Sequence, residues 1–313
     1  MRIAIITPAF NVAPYIETAI RSVLAQTHRD WTMVVVDDGS SDDTAALARA
    51  TTTDPRLRLL LQPHQGVSAA RQAGLRGTDA EAVLCLDADD WLAPTALERL
   101  ADALAAAPEA VAAVGAYARV TPEGVTGRTV VPAGGDLLRP LLVRNRFING
   151  GHVLVRRTAV DAAGPFRADL AFGEDWEFWC RLAQHGYFVP LPDPAPVLFA
   201  LNRPQGAYRR LAADPGAMTR CLDAIHGNPA LADWLDPPTR AHLRRQADAE
   251  AFWILGREMT RHGAGRQAHA WIWRSLRARP RLRAAARLLV AHAAPLLPGA
   301  WRGPFRPYQV DSP

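Results

Sequence analysis

Short apolar runs alternate with stretches of helical spacing over the first ninety residues. The apolar runs predict strands at residues 2–7, 32–36, 56–61 and 82–86. Helical spacing or clustered small residues predict helices at 14–27, 45–50 and 68–75. Strands and helices that alternate in this way form a parallel sheet with helices on both faces, so the pattern predicts an α/β fold.

The pattern is less regular between residues 93 and 205. Helices are predicted at 94–107, 137–143, 158–163 and from Glu174 onward. Strands are predicted at 111–120 and 153–155, with a last strand at 186–190. The intervening stretch 121–135 is rich in Gly, Pro and Thr, which predicts a loop or hairpin.

The composition changes near residue 205. Residues 206–313 hold 17 of the 36 basic and 8 of the 31 acidic residues, so they carry +9 while residues 1–205 carry −4. Five of the nine Trp also lie there. Helices are predicted in this part at 217–226, 240–262, 264–277 and 281–293. We therefore expect an α/β domain at 1–205 followed by an α-helical appendage at 206–313.

The overall composition, 49% hydrophobic and 21% charged, is typical of a soluble globular protein. Three scattered cysteines offer neither a disulfide framework nor a Cys-X-X-Cys site, which favours a reducing compartment. The apolar stretch at the N-terminus is too short for a signal peptide, and no run approaches the ~20 apolar residues of a membrane span. We therefore expect a cytoplasmic protein. The mixed basic and apolar face of 281–293 allows a peripheral contact with the inner membrane face.

Carboxylates follow two of the predicted strands. Asp37 and Asp38 come after the second strand, and Asp87, Asp89 and Asp90 come after the fourth. Open α/β sheets bind ligands at the carboxyl ends of their strands, so both groups are expected to face one crevice. Close carboxylates repel one another unless a cation or donors neutralise them, and hard oxygen ligands suit Mg2+ or Mn2+. Taken alone, Asp-X-Asp also fits a solvated acidic turn in which Asp90 caps the next helix.

Five short motifs stand in order along the predicted α/β domain. They are Thr7-Pro8-Ala9-Phe10-Asn11, residues 34–42, residues 66–74, Asp87-Ala88-Asp89-Asp90 and Gly173-Glu174-Asp175-Trp176. Together they resemble the motifs of the family 2 glycosyltransferases, over roughly residues 1–200. Each motif alone is weak, but five in the family's order and spacing are specific. The resemblance implies a GT-A fold, a mostly parallel, Rossmann-like sheet flanked by helices. It also implies a nucleotide-sugar half at about 1–92 and an acceptor half at about 93–205.

The resemblance further implies a nucleoside-diphosphate sugar as donor, with a UDP-sugar favoured. Asp38, with Asp37 beside it, would accept a hydrogen bond from the base, and the backbone of Thr7 and Ala9 would line the base and ribose. Arg71 would face the nucleotide, where it either screens the acids or donates to phosphate. An Asx turn at Asp38 and a surface helix position for Arg71 are the alternatives.

The remaining motifs imply a metal and a base. Asp87 would approach the ribose, Ala88 would leave space for the ligand, and Asp89 would bind Mn2+ or Mg2+ at the diphosphate. Asp175 would be the base of an inverting transfer, which removes a proton from an acceptor hydroxyl, and Glu174 would support or share that role. An isolated Glu174-Asp175 pair is more simply the charged first turn of a helix.

A few residues depart from the family's pattern or suggest other roles. Phe10 stands where the family usually has Tyr, and Gln72 where Asn is common. Trp176 and Trp179 are predicted to anchor their helix in the core, with stacking on a sugar as the alternative. His152 is expected to be a passive loop histidine, with metal ligation and acceptor contact as the alternatives.

Two other functions fit parts of the sequence. A sugar nucleotidyltransferase would need a glycine-rich, basic phosphate loop after the first strand, and residues 8–14 contain neither Gly nor Arg. A non-catalytic nucleotide-sugar-binding protein would not need the complete set of carboxylates. The Arg-rich C-terminal region contains no recognisable nucleic-acid-binding module, so nucleic acid is not expected as a partner. The acceptor is expected to be a glycan, lipid-linked or other hydroxyl in polysaccharide or glycoconjugate biosynthesis, contacted by residues 121–152 and the appendage.

Overall fold

The computed structural model describes residues 1–203, 211, 213–261 and 265–280. The helix predicted at 281–293, and the membrane contact expected of it, lie outside the described residues.

Residues 3–92 contain the alternating elements that the apolar pattern predicts. The strands are β1 Ile3–Ala9, β2 Trp31–Asp37, β3 Leu57–Leu61, β4 Ala82–Cys85 and the short β5 Trp91–Leu92. The helices are α1 Ile16–Leu24, α2 Thr44–Thr51 and α3 Val67–Arg76. Almost every residue of β1, β2 and β4 is buried, because helices cover both faces of this part of the sheet.

The second half of this region is a mixture of shorter elements. Its strands are β6 Ala110–Val114, β7 Ala116–Val120, β8 Thr126–Val130, β9 Val153–Arg156, β10 Tyr187–Pro190 and β11 Pro196–Leu201. Its helices are α4 Ala96–Ala105, α5 Leu138–Val143, α6 Arg157–Ala163 and α7 Glu174–Leu182. Helix α7 begins at the residue from which the sequence predicts it.

Seven strands form the main sheet, in the order β10-β6-β9-β4-β1-β2-β3. Strands β3, β2, β1 and β4 are parallel to one another, β10 is parallel to β6, and β9 runs antiparallel to both β4 and β6. A smaller sheet has the order β5-β11-β7-β8. The predicted α/β architecture, a mostly parallel sheet flanked by helices, is therefore confirmed.

Gly115 divides the single strand predicted at 111–120 into β6 and β7, which belong to different sheets. A Cβ atom at Gly115 would lie 2.5 Å from Val197 and 3.0 Å from Leu191, so only glycine lets the chain pass here from one sheet to the other. The prediction of one continuous strand is therefore wrong. The stretch 121–135 does contain a hairpin, because β8 pairs antiparallel with β7.

The prediction that the strand near 186–190 is the last one is also wrong. Strand β11 follows a proline-rich connection and pairs with β5 and β7. The prolines at 190, 192, 194 and 196 conceal the short apolar run that forms this strand.

The register of the main sheet places the two predicted acid groups at the same edge. Ala9, the last residue of β1, pairs with Asp37 of β2, and Ile6 of β1 pairs with Cys85 of β4. The carboxyl ends of β2 and β4 therefore lie on either side of the end of β1, and the loops that carry the acids begin there.

The chain divides into two compact units, and the strands described above belong to the first, residues 1–141 with 145–203. In the second unit the described elements are all helical: α8 Gly216–His226, a 3-10 helix Pro229–Asp233, α9 Pro237–Arg261 and α10 Gly265–Ala278. Helices α9 and α10 pack together, and Ser275 Oγ donates a 2.7 Å hydrogen bond to Ala249 O between them. Among the described residues, no helix has the length and apolar character needed to span a bilayer.

Candidate active site

Asp38, the first residue after β2, is buried beneath the loop that leads into α3. This loop directs four donors to its carboxylate. Oδ1 accepts from Gln62 Nε2 at 2.6 Å and from the Gln65 amide at 2.9 Å, and Oδ2 accepts from the Gly66 amide at 2.8 Å and lies 2.9 Å from His64 Nδ1. These partners lie in a distant loop rather than in the next two residues, so the hydrogen bonds of Asp38 are not those of an Asx turn.

The end of β1 lies beside Asp38. The Asp38 amide donates to Ala9 O at 2.8 Å. Thr7 is fully buried, and its hydroxyl has no hydrogen-bond partner among the described residues. The Asp37 carboxylate is also buried and, within the part of the chain that the structure describes, accepts one long hydrogen bond of 3.4 Å from the Ser40 amide. The four residues predicted to meet the base and ribose are therefore neighbours in the structure.

The acids after β4 form a tight turn, in which the Asp90 amide donates to Asp87 O at 3.1 Å. One carboxylate oxygen from each of Asp87, Asp89 and Asp90 lies within 4.8 Å of the others. Burial and the charge of Asp87 raise the pKa of Asp89. Burial, and the charges of Asp89 and Asp87, raise the pKa of Asp90 well above its ordinary value. Ala88, between them, is buried and small.

The partners of Asp90 exclude the alternative in which it caps the next helix. Its Oδ1 accepts from the Leu201 amide at 2.8 Å and its Oδ2 from Asn149 Nδ2 at 2.5 Å, whereas α4 begins only at Ala96. Asp90 therefore ties the acidic turn to β11 and to the loop before β9. Asn149 was missed because nothing local in the sequence links it to a residue 59 positions away.

Arg203 is a second residue that the sequence analysis missed. Its Nε atom lies 2.5 Å from Asp89 Oδ2. Arg203 follows the end of β11, and a polar residue directly after a strand would have indicated a site position. The signal was lost because the strand itself was not predicted.

Arg71 of α3 connects the acidic turn to the N-terminus of α7. It is buried, and it donates to Asp87 Oδ1 at 3.1 Å and to Glu174 Oε1 at 2.9 Å. Burial lowers the pKa of Arg71, but the charges of Asp87 and Glu174 outweigh this effect, and the net pKa is raised. Of the two roles expected for Arg71, this geometry is that of a cation that screens the acids.

Asp175 lies next to this ion pair in the first turn of α7. Its Oδ1 accepts a 2.6 Å hydrogen bond from the Trp176 amide. Burial, together with the charge of Glu174, raises the pKa of Asp175 to about 7 against the opposing effect of Arg71. A carboxyl group with this pKa can take up a proton near neutral pH, whereas Glu174 is held by Arg71.

The aromatic and histidine predictions are confirmed. Trp176 and Trp179 are both buried, and Trp176 Nε1 donates to Leu141 O at 2.6 Å, so both anchor α7 in the core. His152 is fully buried with Nδ1 2.9 Å from Gly115 O, and burial lowers its pKa to about 4. It is therefore neutral and takes no part in the acidic cluster. Phe10 is 42% exposed.

The acidic turn fits a hard divalent cation. Its three clustered donors are all carboxylate oxygens, the ligands that Mg2+ and Mn2+ prefer. Burial is the largest cause of the raised pKa values of Asp89 and Asp90, and the charges of the neighbouring carboxylates add to it, while Arg203 acts against it at Asp89.

Comparison with known proteins relates segments of this chain to enzymes of one class. Residues 4–162 match the family model described as Glycosyl transferase family 2. An uncharacterized glycosyltransferase of Nostoc sp. (strain PCC 7120) is 38% identical over 104 residues, which cover 33% of this chain and 32% of that protein. The putative teichuronic acid biosynthesis glycosyltransferase TuaG of Bacillus subtilis is 35% identical over 99 residues, which cover 31% of this chain and 39% of TuaG.

Two solved structures share the fold. Residues 1–349 of S. aureus TarS in complex with UDP give a TM-score of 0.59 at 20% identity, covering 94% of this chain and 87% of that one. The mannosyltransferase PcManGT from Pyrobaculum calidifontis, in complex with GDP-Man and Mn2+, gives a TM-score of 0.59 at 21% identity. The match covers 96% of this chain and 82% of PcManGT. At these identities the likeness concerns the fold alone. The matched segments span well under half the length of the two curated relatives.

Proposed function

The chain belongs to glycosyltransferase family 2, and from this we propose that it transfers a sugar from a nucleoside-diphosphate sugar to an acceptor hydroxyl, with inversion and with the help of a divalent cation. The observation that carries the proposal is the arrangement of the site, in which Arg71 joins Glu174, the neighbour of Asp175, to Asp87 of the acidic turn after β4.

The proposed choice of sugar donor depends on Asp38. A buried carboxylate with its oxygens turned toward polar donors selects a base that carries a ring N–H, as uracil and guanine do and cytosine does not. A UDP-sugar is favoured, and Asp37, Thr7 and Ala9 would line the base and ribose. The solved neighbours that bind UDP and GDP-Man are in keeping with this choice.

The proposed binding of a divalent cation depends on the acidic turn. Asp89 would hold Mn2+ or Mg2+, with Asp87 and Asp90 contributing charge and Asp87 also approaching the ribose. When bound, such a cation offsets the charge that develops on the departing diphosphate. Arg71 and Arg203 keep the acids in place, and the small side chain of Ala88 leaves room for the donor.

Asp175 would act as the base. Its carboxylate takes the proton from the acceptor hydroxyl, whose oxygen forms a bond to the anomeric carbon. The bond from that carbon to the diphosphate oxygen breaks, and its electron pair leaves with the nucleoside diphosphate. Because the hydroxyl enters opposite the leaving group, the anomeric configuration is inverted. Glu174, paired with Arg71 at 2.9 Å, positions the turn that carries Asp175.

The test begins with release of nucleoside diphosphate from a panel of UDP- and GDP-sugars with Mn2+ or Mg2+ and with water as acceptor. For the donor found, kcat/KM is expected to rise with pH and to level off above about pH 7, since Asp175 must be deprotonated. Asp175→Asn should lower the rate by about 10²–10⁴-fold, the usual contribution of a general base, and remove this pH dependence.

Asp79→Asn is the matched control, because Asp79 is an exposed acid paired only with Arg2 on the surface among the described residues. It should leave both rate and pH profile unchanged. If Asp175→Asn kept the wild-type rate and profile, Asp175 would not be the base. Nucleotide binding without any turnover would instead favour a non-catalytic nucleotide-sugar-binding protein.

The acceptor we propose is a glycan or lipid-linked hydroxyl in polysaccharide or glycoconjugate synthesis. The name of TuaG, a putative teichuronic acid biosynthesis glycosyltransferase, supports this class. Release of pyrophosphate from a sugar phosphate and a nucleoside triphosphate would favour a nucleotidyltransferase instead.

A further inference from the structure

His64 lies across the nucleotide-facing carboxylate of the site, in a position that neither the motifs nor the catalytic scheme use. It belongs to the loop that covers Asp38, and its side chain is 56% exposed. Its imidazole makes two different contacts, one through the ring edge and one through the ring face.

The edge contact joins the imidazole to Asp38 through a hydrogen bond to the backbone carbonyl and a close approach to the carboxylate. His64 Nδ1 lies 2.9 Å from Asp38 Oδ2 and 3.1 Å from Asp38 O. A carboxylate and a carbonyl can only accept, so the hydrogen resides on Nδ1 and points at Asp38. The imidazole therefore offers Asp38 a ring N–H.

The face contact is a stack on Phe10. The two ring centroids are 4.1 Å apart and the ring planes are inclined by 24°, which is a stacked arrangement. Phe10 directly follows Ala9, whose carbonyl oxygen accepts from the Asp38 amide at 2.8 Å. The stacking surface and the carboxylate are therefore parts of one small site.

A flat ring that donates a ring N–H to Asp38 and stacks on an exposed aromatic side chain has the two features by which uracil would be recognised there. We infer that His64 stands in for the nucleotide base: in this conformation its imidazole takes the place at Asp38 and Phe10 that the base takes on binding, and the ring must leave for the donor to enter. This inference rests on the proposed role of Asp38 in binding the base.

The contacts of the loop around His64 allow the imidazole to move away from Asp38 while the loop backbone keeps its position. Three of the four donors to Asp38 come from Gln62, Gln65 and Gly66 and do not involve His64. Gly39 lets the loop approach closely, because a Cβ atom there would lie 2.8 Å from the His64 amide nitrogen. Displacement of the imidazole would thus open the side of Asp38 Oδ2 that faces His64, and the face of Phe10, while the Gly66 amide keeps its hydrogen bond to Oδ2.

Removal of the ring should make nucleotide binding tighter. In His64→Ala, the base no longer has to displace a hydrogen bond and a stack, so the Kd for UDP with Mn2+ should fall by about fivefold, the ratio that one net hydrogen bond gives. Isothermal titration calorimetry with the full-length chain measures this. His185→Ala is the matched control, since His185 is exposed beyond the C-terminal end of α7, and it should keep the wild-type Kd.

A second measurement needs no variant. In wild-type protein, the imidazole signals of His64, assigned by comparison with His64→Ala, should shift when UDP is added, and a structure with UDP should show Nδ1 away from Asp38. An unchanged or raised Kd in His64→Ala, or a UDP complex in which Nδ1 stays on Asp38, would overturn the inference alone. Failure of wild-type protein to bind either UDP or GDP would overturn the proposed function as well.

Discussion

Two groups of carboxylates end neighbouring parts of one sheet, yet their surroundings are opposite. Asp38, after β2, accepts hydrogen bonds from two backbone amides and the Gln62 side chain, with His64 Nδ1 as a fourth neighbour. Asp89, after β4, is surrounded by charge, with two carboxylates within 4.8 Å of its own and Arg203 against its Oδ2.

The difference between the two carboxylate groups shows that the position of an acid and its neighbours indicate different things about its ligand. The position at the end of a parallel strand indicates that a ligand binds, and this is the same for both groups. The neighbours indicate which ligand binds. Donors around Asp38 suit a carboxylate that recognises a neutral N–H group, and the excess of negative charge around Asp89 suits a carboxylate that awaits a cation.

A substitution of Asp89 should give the largest effect and is the strongest test of the different roles of Asp38 and Asp89. Asp89→Asn should reduce transfer by about 10²–10³-fold, because it removes the proposed metal ligand and with it charge stabilisation of several kcal/mol. The affinity for Mn2+ should fall in parallel, which titration calorimetry measures. Asp79→Asn should change neither, and a fully active Asp89→Asn would contradict a metal role for the turn.

Asp38 should respond differently. Asp38→Asn should weaken UDP binding by about 10–10²-fold, the range for a hydrogen bond to a charged group, and leave the affinity for Mn2+ unchanged. Calorimetric titrations with UDP and with Mn2+ alone separate the two effects. If Asp38→Asn lost Mn2+ rather than UDP, the two acid groups would not have the separate roles assigned to them.

The smallest expected effect concerns thermal stability. It tests whether burial and a neighbouring negative charge raise the pKa of Asp175, as they raise those of Asp89 and Asp90 in the acidic turn. The folded-state pKa of Asp175, about 7, lies above its ordinary value of 3.8, so the stabilisation from its protonated form is present at low pH and is lost as pH rises through about 7. The Tm of Asp175→Asn minus that of wild type should therefore increase by a few degrees between about pH 5 and pH 8.

Calorimetric melts at both pH values measure this difference. Asp79→Asn should show a difference that does not depend on pH in this interval. If the Tm difference between Asp175→Asn and wild type were the same at both pH values, Asp175 would have an ordinary pKa in the folded chain.

The local part of the fold and site was readable from sequence. The runs that became β1, β2 and β4 are continuous and apolar, and the acids that follow them are adjacent in the chain, so both could be recognised without coordinates. The break at Gly115 could not, because it depends on Val197 in another strand. The partners of Asp90 could not be predicted for the same reason, since Asn149 and Leu201 are 59 and 111 residues away.

The single buried guanidinium of Arg71 has a consequence for how this chain can diverge. Asp87, on the proposed donor side, and Glu174, on the helix that carries the proposed base, share it as a common counter-ion. Loss of either acid would break the link that Arg71 makes between the two segments, and loss of Arg71 would leave two partly exposed carboxylates without their shared counter-ion. These three positions therefore have to be inherited or exchanged as a set, and a chimera that joins residues 1–92 of this chain to the second half of a relative works only when the incoming helix brings its own partner for Arg71.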